Sequence, residues 1–286
     1  MKKFLALTLA AMMTVALAAC GETTDNTDVT DTANTETAET ETTNTETAET
    51  ETTNSDVAPA DETETSDLVS MTFDEYSAAA VDDAVVIEAF IQGKQGWWSD
   101  VNGGKATFYL QDDNGGYLAY NLACTEDEYN NELTLGTKVQ ISGFKAEWSG
   151  EVEVIDATWT VIDGDTCLYD ATDVTALLGT EDLAKYMNMA VSFNGLTVVA
   201  ANDEGAAFLY SWDGSGSHDS NSDLYFTVAD AAGNNYSFTV ESYLTGNDTD
   251  VYAAVEALEV GQVINAEGFL YWYNGANPHI TSVTVQ

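Results

Sequence analysis

Between residues 84 and 92 apolar and polar positions alternate, with Val85, Ile87, Ala89 and Ile91 sharing one face. A period of two is the mark of a half-buried strand. A loop over residues 93–105 follows, carrying Trp97 and Trp98. Residues 106–111 and 117–123 then read as two strands around Asp112-Asp113-Asn114-Gly115-Gly116, whose composition predicts a tight hairpin turn. Two short helices are announced by capping boxes, one from Thr72 with Glu75 and one from Thr125 with Glu128. After the second helix, Leu135-Gly136-Thr137 leads into a strand ending near Gly143. Residues 144–150 follow, and a last strand runs over residues 151–162. Within it Trp159 keeps step with Ile155, Ala157 and Val161, which places it in the core.

The same order recurs downstream. Residues 189–199 form a strand, and residues 200–223 a long loop carrying Trp212. Residues 224–229 and 235–240 flank a second Asp- and Asn-rich turn. A helix beginning near Asp248 or Asp250 shows Val251, Val255 and Leu258 on one side. Val260-Gly261-Gln262 stands where Leu135-Gly136-Thr137 stood, and Gly136 and Gly261 both suit a helix C-terminal stop. Residues 268–275 align with 143–150, glycine on glycine at both ends, and residues 279–285 close the unit.

Three strands, a short helix and two further strands in about 90 residues is the order of an OB-fold, a five-stranded Greek-key barrel. Both copies resemble OB-fold domains of secreted and lipid-anchored bacterial proteins, some of which stand beside extracellular nucleases. The resemblance covers residues 81–165 and 187–286 and speaks to fold more than ligand. The expected fold class is therefore all-β with short helices: two tandem OB-fold barrels, residues 68–165 and 187–286, joined by a connector at 166–186. A pair of β-sandwiches is the competing architecture.

The N-terminus carries an address. Lys2 and Lys3 precede an apolar run from Phe4 to Leu17, too short for a typical spanning helix. Leu17-Ala18-Ala19-Cys20 resembles the lipobox of bacterial lipoproteins. The resemblance implies a signal peptide over residues 1–19, a lipid on Cys20, and a chain held at the cell membrane facing the exterior. An ordinary signal peptide with a chance Cys, or a short anchor, is the alternative. Residues 20–67 are rich in Thr and acids, and residues 34–43 recur letter for letter at 44–53. With no aromatic residue to bury, this stretch is expected to be a disordered, self-repelling tether.

Charge then narrows the partners. The chain has 49 acidic residues, seven Lys and no Arg, a formal charge of −42. Fifteen acids lie in the tether, leaving 34 against five Lys, or −29, on residues 68–286. Nucleic-acid binding rests on cations that displace counterions from phosphates, so nucleic acid is an unlikely partner by this criterion. In an OB-fold, the loop after the first strand and the loop between the last two border the binding face. Trp97, Trp98 and Trp148 occupy these loops in the first unit, and Trp212, Tyr271, Trp272 and Tyr273 in the second. The seven rings either hold a ligand or plug the barrels and cement them together. Lys94, Lys105, Lys138 and Lys145 either form a positive patch near these rings or are scattered solubilising groups.

His218 and His279 are far apart in sequence, and no zinc spacing, phosphate loop or nucleophile motif accompanies them. Asp219-x-Asn221-x-Asp223 has the oxygen spacing that opens a calcium loop, though Leu224 stands where that loop needs Gly; no other cofactor is implied. Cys124 and Cys167 either pair in an oxidising exterior or remain one buried and one exposed thiol. The sequence thus predicts a non-enzymatic, lipid-anchored surface module that binds a glycan or another non-nucleic ligand through its aromatic loops. A docking module for a surface protein and a cation-dependent nucleic-acid binder are the alternatives.

Overall fold

A computed structural model describes residues 69–286. The signal peptide, Cys20 and the tether expected over residues 1–67 lie outside the described residues. Among the described residues no helix is long and apolar enough to cross a membrane.

The first barrel runs α1 (Phe73–Ala78), β1 (Ala84–Lys94), β2 (Trp98–Asp100), β3 (Gly103–Gln111), β4 (Gly116–Ala123), α2 (Glu126–Asn131), β5 (Lys138–Trp148) and β6 (Glu151–Val161). Antiparallel pairing joins β1 to β5, β5 to β6, β3 to β4 and β1 to β3, and a parallel β4–β6 contact closes the ring. The second copy runs β7 (Thr172–Asp173), β8 (Ala190–Val199), β9 (Phe208–Tyr210), β10 (Leu224–Ala229), β11 (Asn235–Val240), α3 (Ser242–Thr245), α4 (Asp250–Glu256), β12 (Val263–Phe269) and β13 (His279–Val285). Its pairings repeat the first set, including the parallel closing contact, here β11 with β13. Both units are OB-fold barrels, each with its helical segment between the third and fourth principal strands.

Local chemistry accounts for the repeat. Both predicted capping boxes form at α1 and α2. Gly136 and Gly261 adopt left-handed φ values of 83° and 94°. This lets Gly136 N–H donate to Ile91 O at 2.7 Å and Gly261 N–H to Val198 O at 2.8 Å, pinning each helix end to the first principal strand. Asp112 and Asp230 each accept two backbone N–H bonds within their hairpin turns. Separate cores fill the barrels, around Ile87, Phe108 and Ile141 in one and Phe193, Phe226 and Ile264 in the other. Trp159 is only half-buried against its core and donates its indole N–H to Ala123 O at 3.0 Å.

Two segments depart from expectation. The loop over residues 93–105 holds an extra strand, β2, paired with β3. The aligned glycine-bounded segments also differ. Ser149 and Gly150, with φ of 54° and 91°, make a tight hairpin between β5 and β6, whereas the chain leaves the sheet after Phe269 and re-enters it at His279.

β3 and β4 are buried on both faces. Phe108 and Leu110 point into the first core, while Tyr109 and Leu118 form a separate cluster with Phe269 of the second barrel. Tyr109 stacks on Phe269 with centroids 4.5 Å apart and planes 9° from parallel. Gln111 Oε1 accepts from Ala190 N–H at 2.9 Å. A Cβ on Gly116 would lie 2.5–2.6 Å from backbone atoms of Met187, Asn188 and Met189, so the start of the second unit approaches β4 only because no side chain intervenes. Gly116→Ala is expected to push residues 187–189 off β4 at about 1–3 kcal/mol, the usual range for overpacking. Thermal unfolding checks this: a melting temperature lower by several degrees is expected, and an unchanged one would show that the joint tolerates the methyl.

Candidate functional site

The first-strand loops and last-hairpin loops of both barrels open onto one groove of about 990 Å³. Trp98, Trp148, Trp212, Tyr271 and Tyr273 all line it, so five of the seven predicted rings converge. Trp148 and Tyr273 come from opposite barrels, with ring centroids 5.1 Å apart. Beneath them Asn274 N–H donates to Ser149 O at 2.7 Å, tying one hairpin loop to the other. Trp212 stands 77% exposed on its long loop.

The remaining two rings serve the scaffold. Trp97 packs on the first core and donates its indole N–H to Cys124 O at 3.0 Å, with Gly104 leaving room for its ring. Trp272 lies over Gly150, and its backbone N–H donates to Glu151 Oε2 at 2.7 Å. Both are corrections to the predicted ligand set, and both arise because neighbouring residues in a loop face opposite ways. Sequence reasoning missed Tyr120, Tyr225 and Tyr243, which also line the groove. Tyr120 and Tyr225 sit out of phase with their strands' core positions, a signal present in the alternation but unremarkable without the groove.

Polar groups at the groove are already engaged with one another. Glu241 accepts from Gln95 Nε2 at 2.8 and 2.9 Å, bridging the barrels. Asp223 Oδ1 accepts from Ser242 N–H and Oγ–H, both at 2.8 Å. His279 Nδ1 lies 2.9 Å from the Tyr109 hydroxyl and 3.2 Å from Glu241 Oε2, and its ring stacks on Tyr271 at 4.3 Å. His279 therefore anchors the base of the groove.

No positive patch gathers around the rings. Lys94 donates to Tyr129 O and Leu133 O, and Lys145 to three carbonyls of α1 and its end. Lys138 pairs with Glu88 at 2.9 Å, while Lys105 pairs with Asp100 and lies over the Trp98 ring at 4.2 Å. The residues of the calcium-like spacing lie on the loop that leads into β10. Asp223 Oδ1 accepts from Ser242, and Asn221 closes a short 3-10 turn in the left-handed region. Among the described residues no three His, Cys, Asp or Glu side chains gather to hold a metal. Cys124 and Cys167 are both free, the first buried at the end of β4 with its thiol pushed up to about 11 by burial. The disulfide alternative is corrected accordingly.

Two carboxyls at the start of β6 sit in the joint between the barrels. Glu151 is fully buried, accepting from Asn188 Nδ2 at 2.6 Å as well as from Trp272. Burial raises it to about 8 against the opposing pull of those two hydrogen bonds, with Glu153 adding repulsion. Burial alone raises Glu153 to about 7. Burial likewise raises the Tyr271 phenol, and Glu151, Glu153 and Glu241 reinforce the shift.

No protein-family model matches the chain, and no curated protein matches it. Solved structures do. A murine DNA-binding protein bound with double-stranded DNA is similar at 10% identity and TM-score 0.31, over 71% of this chain and 97% of that one. The p204 HINb domain gives 10% and 0.31 over 73% and 100%. A Replication Protein A heterotrimer bound to single-stranded DNA gives 13% and 0.30, over 73% of this chain and 50% of that one. These likenesses are distant, and the strand pairings define the fold without them. The expectation of a glycan ligand, with nucleic acid unlikely, is corrected. The groove itself removes the ground on which nucleic acid was set aside. Net charge is a property of the whole molecule, whereas the groove is lined mostly by neutral groups and holds two carboxylates, both hydrogen-bonded internally.

Glu153 binds its proton more tightly folded than unfolded. Its contribution to stability is therefore fully present below about 4.5 and lost as pH rises through about 7. Glu153→Gln keeps the shape and removes the titration. Melting curves from about pH 5 to pH 8 are expected to flatten, with the variant more stable by roughly 2–4 °C at the upper end, the shift that about 1 kcal/mol gives at this size. Parallel profiles for variant and parent would contradict the assignment.

Proposed function

We propose that the two barrels form a non-enzymatic module that holds unpaired nucleobases by stacking in the shared groove, with divalent cations covering the phosphate charge. One observation carries this reading: rings from the ligand-bordering loops of both OB-folds face a single groove. Base–aromatic stacking contributes about 1–3 kcal/mol per base and needs no particular sequence. Gln95, Asn121 and Asn277 stand among the rings, where amide groups meet the hydrogen-bonding edges of splayed bases. OB-folds bind oligonucleotides on this face elsewhere, which supports the reading by analogy of fold. The Leu17-Ala18-Ala19-Cys20 motif supports placing the module outside a cell membrane on a lipid, with residues 20–67 as its spacer.

The charge gives this binder an unusual signature. An ordinary nucleic-acid protein loses affinity as salt rises, because its own cations had displaced the counterions. Here the protein repels the backbone, so screening helps. Titration of the full chain with a single-stranded oligonucleotide, followed by tryptophan fluorescence, is expected to show binding with magnesium and none in chelator. Affinity should hold or rise with monovalent salt. Trp148→Ala and Trp212→Ala are each expected to weaken binding by about 1–3 kcal/mol. Absence of quenching at every magnesium concentration, or full affinity in both variants, would overturn the proposal.

A further inference from the structure

β2 is the end strand of the first sheet, and all three of its residues are exposed. Trp98 lines the groove and stands 41% exposed, outside the first core that its neighbour Trp97 packs against. Core packing therefore does not set the direction of its ring. What the ring rests on is a cation. In the β2–β3 register Trp98 lies directly opposite Lys105, and opposed residues of an antiparallel pair share a face. The Lys105 ammonium sits 4.2 Å from the centre of the Trp98 ring. Asp100, two residues along the same strand and so on the same face, holds that ammonium at 3.2 Å through Oδ2. The carboxylate is itself anchored, since Oδ1 accepts from Asn102 N–H at 2.7 Å in the turn into β3. That bond first, and Lys105 second, hold the Asp100 carboxyl below the usual carboxylate range. Turn, carboxylate, ammonium and ring thus form one chain of contacts. Lys105 does not line the groove, so it covers the face of the ring turned away from it.

We propose that Lys105 is a positioning residue for the groove: held by Asp100, it fixes the Trp98 ring so that the free face is presented to a stacked base. The inference rests on the stacking reading of the groove. A ring fixed before binding loses less rotamer freedom when a ligand stacks on it. The ammonium is attracted by the negative face of the indole, and it acts from the side opposite the ligand. Trp148 and Tyr271 have ring partners of their own in Tyr273 and His279, and Trp98 has Lys105 in that place. This role differs from the usual one for a Lys beside a nucleic acid. A Lys that tracks the backbone acts on phosphates directly, whereas Lys105 acts through an indole and needs no phosphate within reach.

The full chain is titrated with a single-stranded oligonucleotide in magnesium, at about 0.15 M monovalent salt to screen longer-range charge. Lys105→Met keeps an unbranched apolar stem and removes the charge. It is expected to weaken binding about two- to fivefold, the size of one exposed cation–ring contact, and Lys105→Arg is expected to retain parental affinity. In a Trp98→Ala background Lys105→Met should change nothing further, because the two residues act as one unit. Asp100→Asn, which releases Lys105, should also weaken binding. A Lys seated on a phosphate would give the reverse: a loss on Lys105→Met with or without Trp98, and tighter binding once Asp100 lets it go. Either of those results, or parental affinity in Lys105→Met, would overturn the proposal while leaving the groove reading in place. Absence of binding by the parent at every magnesium concentration would remove both.

Discussion

The stack of Tyr109 on Phe269 closes the joint on which the groove depends. An OB-fold alone offers a shallow face bordered by two loops, and the rings on those loops would stand apart in solvent. Docking the outer face of β3 and β4 against the end of β12 turns two such faces toward one another. The contact is dry at its centre, where Leu118 joins the two rings, and polar around it. Tyr109 continues from the stack through its hydroxyl to His279, and His279 to Glu241 and Tyr271. One residue thus links the interface to the floor of the groove, and what loosens the joint also moves the rings.

Divergence between the copies completes the site. In the first barrel a tight Ser149-Gly150 turn keeps the last hairpin in the sheet and short. In the second, residues 270–278 leave the sheet and reach across to that turn. Glu151 is central to this reach, since its two oxygens accept from Asn188 on one side and Trp272 on the other. Removing a carboxylate from water is costly, and here two N–H groups that would otherwise lack an acceptor in the joint offset the cost. A proton shared part of the time near neutral pH fits the same position, because burial and Glu153 both oppose the charge.

Much of the fold was legible in the sequence, because each local signal agreed with the next. Period-two strands, two capping boxes, paired Asp turns and the Gly136 and Gly261 stops all point to one topology written twice. The joint was written less plainly. Residues 106–111 and 117–120 carry apolar groups on successive positions, the mark of strands covered on both faces, yet such a run does not say what covers the second face. The site was legible to the level of loops but not of side chains. Trp97 and Trp98 are adjacent, and only backbone direction decides that one fills the barrel while the other lines the groove. Tyr243 and His279 gain their places from the docking of two barrels, information that neither repeat contains alone.

Charge placement determines what kind of recognition such a groove supports. All five Lys of the described residues have partners, three of them carboxylates and the others backbone carbonyls. None is free to track a phosphate backbone, and Arg is missing from the chain. Recognition led by phosphate positioning, the usual source of nucleic-acid affinity, is therefore closed to this protein. What the groove offers instead is flat apolar area with amide edges, a surface that discriminates by ring and by hydrogen bond. On the proposed reading, a strand held this way would be gripped by its bases, with its backbone turned toward solvent and its counterions retained. The acidity of the surrounding surface would then oppose any polyanion that cannot present unpaired rings to the groove.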